Sequence, residues 1–147
     1  YGAFTFMPDV RGQRPYLVYA PVQTDRTGDS LQELVKELTA FTTDAPASDA
    51  EVERVINNAV RSLPGQYETS GAVLGAMLDN ERFERAVDYQ AQLTAMLRGL
   101  ETADIRSAAD QVIHPNSLIW LVVGDRAAIE GQIRDAGFED IEILSTE

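Results

Sequence analysis

The chain predicts an α+β fold, a two-layer arrangement in which one mixed sheet is covered by helices. Three observations point there. An alternating apolar stretch opens the sequence with strand rhythm, the long middle region carries apolar stripes at helical spacing, and the carboxyl end runs strand, helix, strand. With 147 residues, 44% hydrophobic and 24% charged, the chain has length for one compact core, so one domain or part of one is expected over residues 1–147.

Gly2-Ala3-Phe4-Thr5-Phe6-Met7 reads as a first strand and Tyr16-Leu17-Val18-Tyr19-Ala20 as a second, with Pro8-Asp9-Val10-Arg11-Gly12 supplying breakers between them. A β-hairpin follows from this, with Pro15 and Pro21 marking a short or edge-lying second strand. Ser30 with Glu33 gives a capping box for a first helix, whose stripe is Leu31, Leu34, Val35 and Leu38. Ser48 with Glu51 gives a clearer box for a second helix over 49–63, where Val52, Val55, Ile56, Ala59, Val60 and Leu63 fall at helical spacing on one face and Pro64-Gly65 marks the stop. Residues 69–99 divide into two helices broken near Asp79-Asn80-Glu81, and Thr102 caps a shorter helix carrying Ile105, Ala108, Ala109 and Val112. Residues 117–123 form a continuous apolar strand. Gly124-Asp125 turns and caps a helix over 127–136, Gly137 ends it, and Ile141 and Ile143 alternate in a last strand. Thr42 to Ser48 is the most linker-like stretch, and there is no internal repeat.

Composition removes several function classes. Cysteine is absent, which excludes thiolate nucleophiles, disulfides and Cys-containing zinc sites. The net charge of −12 comes from 24 acidic residues against 12 Lys and Arg, so nucleic acid and a negative membrane surface are disfavoured as partners. No apolar run approaches the roughly 20 residues of a membrane-spanning helix. The chain opens on Tyr1, not Met, directly in a strand pattern, and so is expected to be a piece of a larger protein. A truncated sheet leaves an unpaired edge or an uncovered apolar face, which predicts a homo-oligomer or a swapped dimer.

The motif search narrows the chemistry further. His114 is the sole histidine, so a zinc site with two imidazoles one helical turn apart cannot be built. Its position before Pro115 suits a helix carboxyl end, where an imidazolium meets the last carbonyls. Asp79, Glu81, Glu84 and Asp88 lack the spacing of a calcium loop; they read as a solvated helix face, with Asp79 and Glu81 suited to a helix amino end. No glycine pattern cradles phosphate. Gly71 and Gly75, four apart, predict close packing of their helix against a neighbour.

Several strings in order carry a family resemblance. Tyr1-Gly2-Ala3-Phe4, then Leu63-Pro64-Gly65-Gln66-Tyr67-Glu68-Thr69 before the helix from Ser70, then Leu121-Val122-Val123-Gly124-Asp125, together resemble the pitrilysin/insulinase family of zinc metallopeptidases over nearly the whole chain. The resemblance implies the later part of an inactive-type C-terminal domain, taken from the half of a clamshell that closes over an extended peptide. It implies no cofactor in this chain and zinc in another domain of the parent enzyme, a metalloendopeptidase. The missing zinc-binding domain or subunit is then the partner, and peptide the parent's substrate. It also implies an envelope setting, the periplasm, with the cytoplasm as alternative.

By the same resemblance Tyr1 is the tyrosine of a Tyr-Gly strand motif that contacts the substrate backbone, a neutral phenol being able to donate a hydrogen bond to a carbonyl oxygen. The arginine that accompanies it seven residues upstream in the family lies outside this chain. The expected function is therefore to close the chamber and help align peptide, with no hydrolysis by this chain alone. The alternative is a structural or assembly subunit of the same fold.

Overall fold

The structure is a computed structural model and describes residues 2–144. In chain order it contains β1 (Phe4–Phe6), β2 (Leu17–Tyr19), a 3-10 turn (Thr24–Arg26), α1 (Thr27–Thr42), α2 (Asp49–Gln66), α3 (Ser70–Arg82), α4 (Tyr89–Arg98), α5 (Thr102–Val112), a second 3-10 turn (Pro115–Ser117) and α6 (Arg126–Asp135). The expected α+β sheet under helices is not what forms. Of the described residues 59% are helical and 4% strand, and their sheet is one antiparallel pair, β1 with β2.

The two expected strands at 117–123 and around Ile141 and Ile143 are where the fold class fails. Both segments lie outside any strand, and residues 118–123 make no backbone hydrogen bond among the described residues. An apolar run favours burial; pairing needs a second strand at the right distance, and none lies beside it among the described residues.

Two compact units divide the chain, Tyr1–Ala45 with Val112–Glu147, and Pro46–Gln111. In the first, α1 packs on α6, with Leu31, Leu38, Ile113 and Ile129 as its buried apolar residues. Gly28 sits where the two helix backbones nearly touch: an added Cβ would come within 2.7 Å of the Gln132 carbonyl oxygen. The Gln132 amide ties the contact, donating from Nε2 to the Thr24 carbonyl at 2.9 Å and accepting from the Gly28 N–H at 3.4 Å. The expected box of Ser30 and Glu33 is not used, because the turn at Thr24–Arg26 already winds the chain and starts α1 at Thr27, whose hydroxyl donates to the Thr24 carbonyl at 3.0 Å. Glu33 instead accepts from Lys36 at 2.8 Å, which raises the Lys36 pKa.

The carboxyl half of this unit follows expectation locally. The Asp125 side chain accepts from the Ala127 N–H at 3.0 Å and caps α6, and Gly137 takes the left-handed φ of 98° that ends it. Along α6, Arg126 and Arg134 both hold Glu130, at 2.6 and 2.9 Å. Their hydrogen bonds, Arg126's first, lower the Glu130 pKa.

In the second unit α2 packs on α4. The box of Ser48 and Glu51 forms as expected, with Glu51 accepting from the Ser48 N–H at 2.9 Å and Ser48 Oγ accepting from the Glu51 N–H at 3.4 Å. Helix α2 passes through Pro64 to Gln66 instead of stopping there; so near the carboxyl end the ring removes a single backbone bond, and Tyr67 N–H closes on the Pro64 carbonyl at 3.2 Å. Thr102 does not cap α5 but is its first residue, and donates to Asp49 at 2.5 Å. Asp104 serves the helix start, accepting from the Glu101 N–H at 2.8 Å.

The break between α3 and α4 falls after Arg82, not at Asn80. Asn80 is buried inside α3 because its amide is matched by Gln90, each donating to the other at 2.8 Å. The turn itself uses Glu84 at φ 54° and stacks Arg82 and Arg85 over Phe83, and Arg85 over Tyr89.

The box also predicts a measurable effect. Ser48→Ala is expected to cost about 1 kcal/mol of stability, read as a lower melting temperature. Hydrogen bonds from Ser48 lower the Glu51 pKa; a carboxylate depressed on folding stabilises above its unfolded pKa and loses that contribution as pH falls through the folded one. The gap between wild type and Ser48→Ala should therefore narrow in acid, and a gap that widens there would contradict the box.

Candidate functional site

The site begins with the hairpin. Its register pairs Phe4 with Tyr19, Thr5 with Val18 and Phe6 with Leu17. Side chains alternate across a strand, so Phe4, Phe6, Leu17 and Tyr19 share one face and Thr5 and Val18 the other. The four residues of the first face are all exposed. Their rings form a continuous platform, with the Phe4 and Tyr19 centroids 5.2 Å apart at 45° and those of Phe4 and Phe6 6.5 Å apart. The long connection between the strands is braced by Arg14, which pairs with Asp9 at 2.7 Å and donates to the Pro8 carbonyl at 3.4 Å.

Such a surface can do two things chemically. Aromatic faces receive apolar or cationic side chains, and a two-stranded sheet keeps an outer row of backbone donors and acceptors on each strand that an extended chain can join. Its one polar side-chain group is the Tyr19 phenol, which can donate or accept a hydrogen bond. No cluster of three or more His, Asp or Glu that would hold a metal occurs among the described residues.

The residues singled out from sequence fare differently. Tyr1 lies outside the described residues, although it directly precedes the hairpin in sequence. His114 is exposed beyond the end of α5 and its imidazole makes no hydrogen bond among the described residues; it does not cap, and only its backbone carbonyl is used, by Ser117 N–H at 2.9 Å. Asp79 and Glu81 stand in the last turn of α3 and not at an amino end, with Glu84 and Asp88 in the turn beyond, because the break comes later than the sequence indicated. Gly71 and Gly75 have no atom within 4 Å of an added Cβ, so they mediate no close helix packing, whereas Gly28 does. The aromatic platform was readable in principle from the alternation Phe4, Phe6 and the opposing Tyr19; what concealed it was the assumption that this face would be covered by helices.

The net charge of −12, from 24 acidic against 12 basic residues, disfavours anionic ligands. No helix of the described residues is long and apolar enough to cross a membrane. Comparison with protein-family models, with curated proteins and with solved structures finds no match to this chain.

Proposed function

We propose that this chain is the non-catalytic C-terminal part of a zinc-dependent metallopeptidase of pitrilysin/insulinase type, which closes over peptide substrate and helps align it while another domain or subunit holds zinc and activates water. The observation that carries the proposal is the exposed face of Phe4, Phe6, Leu17 and Tyr19 on the hairpin that Tyr1 leads into. A protein with no partner rarely leaves four large apolar side chains together in water. An extended peptide laid along β1 or β2 gains main-chain hydrogen bonds from the strand edge and apolar contact from the platform. The charge of −12 favours cationic peptide over acidic.

A labelled, lysine-containing extended peptide tests the gripping role by fluorescence polarisation. Phe4→Ala is expected to weaken its binding about tenfold, because an aromatic anchor is lost from the centre of the platform. The helical circular dichroism should stay unchanged, Phe4 being exposed. Equal affinity of wild type and variant would remove the hairpin from the proposal.

A further inference from the structure

The hairpin is not the one surface left open. Residues 118–123 connect the second 3-10 turn to the cap of α6 outside any helix or strand, starting from Leu118 in extended backbone at φ −79° and ψ 143°. Their side chains alternate sharply. Leu118 and Trp120 turn inward and are half-buried, Trp120 meeting the Phe138 ring edge-on at 5.3 Å. Ile119, Leu121 and Val123 turn outward and are 97%, 75% and 90% exposed, with Val122 between them less so at 36%. The inner face thus holds the segment on the body of its unit, while the outer apolar row stays open and no backbone hydrogen bond from 118–123 forms among the described residues.

We propose that residues 118–123 are a docking edge for a β-strand of a protein partner, one with apolar residues at alternate positions and basic residues at its flanks. The backbone decides for a strand over a helix. An extended donor pairs with a row of free N–H and C=O groups, and a helix, whose own groups are satisfied internally, cannot. The period of the exposed row, Ile119, Leu121, Val123, sets the alternation the partner needs on that face.

Charge decides the flanks. Asp125 follows the segment directly, and the chain leaving the Trp120 contact at Phe138 continues through Glu139, Asp140 and Glu142, all exposed. The cations beside the segment are already held by carboxylates: Arg126 and Arg134 by Glu130 at 2.6 and 2.9 Å, and Lys36, which lines a cavity with Leu118 and Trp120, by Glu33 at 2.8 Å. A second copy of this chain would bring another net −12 to the edge, so a basic partner is favoured over self-pairing. This edge is independent of whether the hairpin grips a substrate.

A synthetic peptide of alternating Ile and Thr with lysine flanks serves as the probe, and the sole tryptophan, Trp120, as the reporter. Saturable change in Trp120 fluorescence is expected, together with about tenfold slower amide hydrogen exchange across 118–123. The same peptide with alternate backbone amides N-methylated should bind at least about tenfold more weakly, as should one with glutamate flanks at low salt. Leu121→Asn should weaken binding about fivefold without loss of helical signal, since the side chain it replaces faces solvent. Equal binding of the N-methylated peptide would overturn the proposal. So would protection confined to residues 4–6 and 17–19, which places the peptide on the hairpin, or protection of 118–123 through self-association before any peptide is added.

Discussion

Ile129→Ala is expected to destabilise the unit built on α1 and α6 by about 2–4 kcal/mol. Ile129 is the most buried apolar residue of the structure at 6% exposure, and it sits on the α6 face turned to α1. Its Cδ1 also lies 3.2 Å from where a Cβ on Gly124 would stand, so the same side chain fills the space under the turn that leads into α6. Few other residues share the load, because Leu31, Leu38 and Ile113 are the remaining buried apolar side chains of that unit. A core this small has little capacity to collapse around a cavity, which places the cost well above zero in a protein whose total stability is on the order of 5–15 kcal/mol. Thermal melting followed by near-ultraviolet signal from Trp120 reports this unit directly. A change below about 1 kcal/mol would mean that α6 is not anchored through Ile129.

The second large effect is expected at Gly28. Alanine there gains up to about 1 kcal/mol of helix propensity, but its methyl group would stand 2.7 Å from the Gln132 carbonyl oxygen. That atom is backbone in the middle of α6 and cannot swing aside as a side-chain tip would. Either α6 moves or the clash remains, at a cost of about 1–3 kcal/mol that exceeds the propensity gain. Net destabilisation of about 1–2 kcal/mol follows, with loss of the Gln132 hydrogen bond to the Thr24 carbonyl. Gly75→Ala supplies the contrast. It lies within α3 with nothing inside 4 Å of the added methyl, so the propensity term stands alone and a gain of up to about 1 kcal/mol is expected. If Gly28→Ala and Gly75→Ala both stabilise, the close α1 to α6 approach is wrong.

What the sequence told of the fold was local chemistry. The Ser48 and Glu51 box, the Asp125 cap, the stop at Gly137 and the hairpin all rest on interactions within a few residues, and all are found. Some failures were equally local, as where the Thr24–Arg26 turn starts α1 ahead of Ser30, but others depended on a partner further along the chain. Asn80 looked like a breaker until Gln90 paired with its amide, and Gly28 drew no attention because nothing in its neighbourhood announces Gln132. The α+β fold class failed for the same reason: the apolar run at 118–123 is real, but a sheet requires neighbours that such a run cannot supply.

The candidate site was legible to a similar degree. One His and no Cys are plain in the sequence, and the Tyr-Gly opening led to the hairpin, but the exposure of Phe4, Phe6, Leu17 and Tyr19 is a property of what does not cover them. His114 and the acidic group near Asp79 were placed by helix boundaries that shifted by a few residues, and their expected capping roles went with those boundaries.

The proposal that this chain grips and does not cut is tested most directly by hydrolysis of a quenched fluorogenic peptide by the purified chain with one equivalent of zinc added. The predicted result is no cleavage that a chelator abolishes, with zinc removed completely by desalting. Cleavage that disappears with chelator, returns with zinc and tracks one tightly held zinc per chain would contradict it.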